Sequence, residues 1–124
     1  MKLNPDCIRD ILFATQEHTN FSINIMLCKD NYTQMTDKYS FEELIYHVDQ
    51  CRNYGFIYAD RRGSFYQIKD LTPAGHSFIA NIEQENNWSK VKVAASKLGS
   101  IALPVLQALA SDTIFSKIDK IING

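Results

Sequence analysis

A mainly helical α+β fold is predicted by three features that follow one another between Tyr39 and Phe78. Ser40 with Glu43 three residues on forms a capping box, the strongest helix-start signal in the chain, and Gly55 supplies a left-handed stop. Two short runs rich in aromatic and β-branched residues, 56–59 and 65–69, flank Asp60-Arg61-Arg62-Gly63-Ser64 and predict an antiparallel hairpin with a turn over 60–64. Leu71-Thr72-Pro73 then opens another helix. Helix, hairpin and helix in that order predict a winged-helix-like core with the hairpin tip as its wing.

The remaining elements follow from local signals. Asn4 as N-cap, Pro5 at the first helical position and Asp6 in the first turn start a helix. Its stripe is Ile8, Ile11, Leu12 and Thr15, and it ends near residues 16–18. Residues 21–37 fit two readings, because Phe21-Ser22-Ile23-Asn24-Ile25 alternates like a strand while Ile23, Met26 and Leu27 also fit a helix. A strand there leaves the usual helix-turn-helix incomplete. In the capped central helix, Phe41, Leu44, Ile45, Val48 and Cys51 project to one face, and His47 lies to one side of the outward face. Phe78, Ile79 and Ile82 form the stripe of the helix after Pro73. Beyond a polar link at 84–87, Trp88, Val91, Ala94, Ala95 and Leu98 share a helical face, and an apolar stretch over 101–122 follows Gly99-Ser100. The domain reading is a winged-helix-like domain over 1–84 and a C-terminal helical extension over 85–124.

Composition excludes several classes. A length of 124 residues supports one main core, and 45% hydrophobic with 22% charged residues argues against disorder. Residues 1–28 lack the basic start, continuous apolar run and cleavage site of a secretory signal, and no apolar run is long enough to span a bilayer. Cys7, Cys28 and Cys51 are odd in number and unclustered, which fits neither a disulfide framework nor a zinc ribbon. A cytoplasmic protein with neither metal nor organic cofactor is expected. The net charge of −1 divides as −4 over residues 1–60 and +3 over 61–124, a mild polarity and no concentrated nucleic-acid footprint.

Tyr39-Ser40 with Glu42-Glu43, Tyr46-His47, Gly55, Ile57, the block from Leu71 through Thr72-Pro73-Ala74-Gly75-His76 to Phe78, and Trp88 together resemble the domain of unknown function 2513 family. The resemblance covers roughly residues 2–98. It implies a small winged-helix-like protein of bacterial, phage or prophage setting, and it brings no activity and no catalytic residues.

Function must therefore be read from surfaces. The outward face of the central helix carries Glu42, Glu43, Tyr46, Asp49, Gln50 and Asn53, with three carboxylates and no Lys or Arg. Gln50 and Asn53 have the chemistry to read adenine, but the carboxylates repel phosphate, so this face suits a protein partner, one from a host included. Arg61, Arg62 and Lys69 are the alternative, a phosphate contact that positions duplex DNA without reading its sequence. Glu42 and Glu43 are adjacent, so they do not face each other as an acid/base pair. With no nucleophile, metal or phosphate motif, an enzyme ranks last. Ile101 to Ile122 has only Lys117 and Lys120 against Asp112 and Asp119, too few cations for a membrane-surface helix. Ile101, Val105, Leu109, Phe115 and Ile118 are instead expected to pair subunits in a homodimer.

Overall fold

The computed structural model describes residues 1–99 and 101–110 of the chain. The described residues form helices α1 (Pro5–His18), α2 (Phe41–Tyr54), α3 (Pro73–Ile82), α4 (Glu85–Leu98) and α5 (Leu103–Leu109). Strands β1 (Ile25–Leu27), β2 (Ile57–Arg62) and β3 (Phe65–Leu71) and a single 3-10 turn (Tyr32–Gln34) complete them. The class is α+β and mainly helical. Two compact units divide the chain, Met1–His76 and Ser77–Gly124.

In the first unit, α1 starts as its sequence dictates. The Asn4 side chain accepts the Asp6 N–H at 3.0 Å, Pro5 occupies the first turn, and Cys7, Ile8, Ile11, Leu12, Ala14 and Thr15 are buried. Residues 21–37, open to two readings in sequence, resolve into β1 and the 3-10 turn. The strand is short and is held by pairing with β3 (Ile25 with Ile68, Leu27 with Tyr66), a contact between segments far apart in sequence.

The sheet order is β1-β3-β2, all antiparallel, with a bulge between Tyr58 and Ala59. Leu27, Ile57, Ala59, Tyr66, Ile68 and Leu71 are buried. The hairpin is longer than its sequence suggests: β2 runs to Arg62, which pairs with Phe65, so the expected turn over 60–64 shrinks to Gly63-Ser64. Polar Asp60, Arg61 and Arg62 look like turn residues, yet cross-strand pairing keeps them extended.

The junction between α2, β2 and α3 is tightly built. Gly55 ends α2 at φ 89°, a left-handed conformation that favours glycine. Thr72 donates its hydroxyl to the Gly55 carbonyl at 2.5 Å and accepts the Gly75 N–H at 3.1 Å, while its own N–H binds the Phe56 carbonyl at 3.0 Å. Thr72 thus caps α3 and ties it to the end of α2. Gly75 lies so close to that Phe56 carbonyl that a Cβ would stand 2.2 Å from its oxygen.

In the second unit, Phe78, Ile79 and Ile82 of α3 and Trp88, Val91, Ala94 and Ala95 of α4 are buried. Phe78 and Trp88 meet edge to face at 6.4 Å, and Lys92 lies over the Trp88 ring at 5.8 Å. Leu98, expected on the buried face, is 57% exposed. Of the residues expected to pair subunits, Ile101 is exposed, Val105 half-buried and Leu109 buried. Phe115 and Ile118 lie outside the described residues. No helix among the described residues is long and apolar enough to cross a membrane.

Candidate functional site

The outward face of α2 is the first candidate. Glu42 and Asn53 are exposed, and Glu43, Tyr46, Asp49 and Gln50 are half-buried. Ser40 accepts the Glu43 N–H at 3.1 Å, which completes the N-cap. The two halves of this face differ in what they touch. Glu42 projects into solvent, whereas Asp49 accepts the Tyr66 hydroxyl at 2.5 Å and the Asn53 amide at 3.2 Å. Asp49 is thus partly committed to holding α2 against β3.

His47 corrects the sequence reading. It is buried, with no exposed surface, on the side of α2 that also buries Leu44, Val48 and Cys51. Its position three after Leu44 and four before Cys51 places it in the core stripe, and the polar ring is accepted there because both nitrogens are used. The Asn4 N–H donates to Nε2 at 2.8 Å, so the proton resides on Nδ1, which donates to the Glu43 carbonyl at 2.7 Å. His47 therefore pins the start of α1 to α2.

The hairpin cations are the second candidate. Arg62 Nε donates to Gln67 Oε1 at 2.9 Å and its guanidinium lies 3.7 Å from Asp60, and Lys69 reaches the same carboxylate at 3.1 Å. The hydrogen bond from Lys69, and then its charge, hold the Asp60 carboxyl below the usual range. Stability from this contact is present above the ordinary carboxylate pKa and is lost as pH falls. Arg61 is exposed, its guanidinium 5.8 Å over the Tyr66 ring. Two of the three cations are therefore already part-neutralised by Asp60.

Tyr66, absent from the sequence-based candidates, joins the two places. Its hydroxyl meets Asp49 of α2 and its ring meets Arg61 of β2. Burial, then the hydrogen bond to Asp49, raise its pKa. Period-2 alternation marks Tyr66 as an inward residue, and nothing local reveals that its hydroxyl reaches a helix 17 positions away.

Chemistry is not concentrated elsewhere. Among the described residues no group of three or more His, Cys, Asp or Glu is placed to hold a metal ion. His76 is exposed on α3. Burial pushes the Cys7 thiol up to about 12 from the ordinary 9.0, with Glu43 and Asp10 adding to it, and burial pushes Cys51 up as well. These are poor nucleophiles.

The same thiols predict an alkaline loss of stability. Their folded pKa lies above the unfolded value, so the contribution is complete below pH 9.0 and is lost as pH rises toward about 12. Each thiol lowers the unfolding free energy by about 1.4 kcal/mol per pH unit in that window. Urea unfolding from pH 7 upward should show a flat profile that turns down above pH 9; a profile flat throughout would contradict the burial argument.

The family model described as hypothetical protein, DUF2513, matches residues 2–102. The chain belongs to the DUF2513 family. Neither curated proteins nor solved structures provide a match. In this DUF2513 protein the residues that carry the family resemblance mostly build the fold. Tyr39 donates its hydroxyl to Asp10 at 2.7 Å, His47 joins α1 to α2, Thr72 and Gly75 form the junction, and Trp88 is buried in the second unit. Glu42 and His76, by contrast, are exposed.

Proposed function

We propose that this DUF2513 protein is a non-enzymatic, winged-helix-like module that acts by binding another protein through the exposed face of α2. The element order α1-β1-α2-β2-β3-α3 with sheet order β1-β3-β2 supports the winged-helix reading, the 3-10 turn standing where a second helix is usual. One observation carries the choice of partner: the outward face of α2 presents Glu42, Glu43 and Asp49 and holds no Lys or Arg of its own, while Arg52 of the same helix donates to the Ala59 carbonyl at 2.8 Å. Such a face repels phosphate. It suits a partner with a basic surface, from a host or from a phage setting.

The test is a pull-down with the partner-bearing lysate, using Glu42→Lys with Asn53→Lys. Both positions are exposed and neither side chain takes part in the Asp49–Tyr66 hydrogen bond, so the added positive charge leaves that bond in place while Asn53→Lys gives up only the exposed contact to Asp49 at 3.2 Å. Capture is expected to disappear; capture at wild-type level would reject the α2 face.

The second reading, a dimeric DNA-binding regulator, rests on Arg61, Arg62 and Lys69. Arg61 is the cation of this group that no ion pair with Asp60 neutralises. Duplex DNA should give little fluorescence anisotropy change at low salt. A strong change that falls steeply with salt and drops in Arg61→Ala with Arg62→Ala would reverse the order of the two readings. A homodimer remains part of both proposals, through Ile101, Val105, Phe115 and Ile118 and not through Leu109, which is buried within its own unit. Co-capture of two differently tagged copies tests it, and no co-capture would end it.

A further inference from the structure

We propose that the open cavity of about 410 Å³ between β1 and the 3-10 turn binds a neutral planar heteroaromatic ring, the chemistry of a purine nucleoside. Its volume falls in the range of small-molecule sites, roughly 300–1,000 Å³. The site is separate from the α2 face and independent of the function proposed for it.

The walls define the ligand. Met26, 44% exposed on β1, and the half-buried Met35 line the cavity, and thioether sulfur packs favourably against ring edges. Three carboxamides join them, from Asn24, Asn31 and Gln34. Asn31 is committed to the turn: its Oδ1 accepts the Cys28 N–H at 3.0 Å and its Nδ2 donates to the Met26 carbonyl at 2.8 Å. Asn24 is different. Its Oδ1 is buried and has no hydrogen-bond partner among the described residues. A buried acceptor left unpaired is unfavourable, and the exocyclic amino N–H of a purine entering beside Asn24 relieves it after a small rotation of the side chain. A carboxamide offers an acceptor and a donor side by side, which matches the N6/N7 edge of adenine.

Charge narrows the class further. Among the described residues no Asp, Glu, Lys or Arg lines the cavity, and His18 is the one titratable side chain there. A phosphate or carboxylate brought here would lose hydration without a fixed countercharge. The occupant is therefore a free nucleoside and not a nucleotide or a nucleic-acid strand.

The test is a titration of the full chain, labelled with ¹³C at the methionine methyls, with adenosine. Met26 and Met35 signals should shift saturably while Met1 stays in place. Asn24→Leu should weaken binding about tenfold or more, as loss of one paired base edge does. Gln34→Ala, on an exposed turn position that the fold does not depend on, should also weaken it, so the assignment does not rest on one buried substitution. Adenosine monophosphate should bind no tighter than adenosine. No shift with millimolar adenosine would overturn the proposal. So would tenfold tighter binding of the monophosphate or of a single-stranded oligoadenylate, and so would unchanged affinity in both variants.

Discussion

Replacing His47 with alanine is expected to destabilise the first unit by about 3 kcal/mol, measured by urea unfolding followed by circular dichroism. Two costs add. The Asn4 N–H loses the acceptor it has at 2.8 Å and is left unpaired in a partly buried position, about 1–3 kcal/mol, and the ring leaves a cavity in a site with no exposed surface. Glutamine at this position keeps one acceptor and one donor, so His47→Gln should recover about half of the loss. A cost under 1 kcal/mol for alanine would mean that α1 starts without help from α2.

Gly75→Ala is the second large effect, and its sign is opposite to helix propensity. Alanine in a helix is favoured over glycine by about 1 kcal/mol. Here the new Cβ would stand 2.2 Å from the Phe56 carbonyl oxygen and 3.1 Å from its carbon. Both are backbone atoms, and that oxygen also accepts the Thr72 N–H at 3.0 Å, so relief requires moving β2 from α3 and weakening the junction. Overpacking of this kind costs typically 1–3 kcal/mol, and a displaced backbone hydrogen bond adds to it. A net loss of about 2–3 kcal/mol is expected. Ser77→Ala, exposed in the same helix, should change stability by less than about 0.5 kcal/mol. If Gly75→Ala were neutral or stabilising, the close approach would not constrain the fold.

The caps were legible because capping is local chemistry. Asn4, Ser40, Gly55 and Thr72 act on backbone groups within a few residues, and the structure places them at the ends expected of them. The apolar stripes of α1 and α3 were legible for the same reason. His47 was misplaced because a wheel ranks a polar ring outward, whereas burial depends on whether both nitrogens find partners, one of them 43 positions away in the chain. Residues 21–37 stayed ambiguous because three strand residues make too short a pattern to separate from a helical one, and β3 decides between them by pairing.

The candidate site divides in the same way. That Glu42, Asp49 and Asn53 share an outward face followed from helical spacing. That Asp49 is half committed to Tyr66, and that Asp60 shares the charge of Lys69 and Arg62, did not follow, because hydrogen bonds and ion pairs across elements depend on distance in space.

The sequence by itself determined where α1 and α2 begin and end, where α3 begins, the apolar stripes of α1 and α3, and the family to which the chain belongs. Only the tertiary structure decided that β1 is a strand, that His47 is a buried joint, that Gly75 sits beneath a carbonyl, and which charges remain free on the surface. Capping and periodicity are settled within one or two turns of chain, whereas burial, cross-strand pairing and charge neutralisation are settled by whichever distant residues the fold brings within a few ångströms.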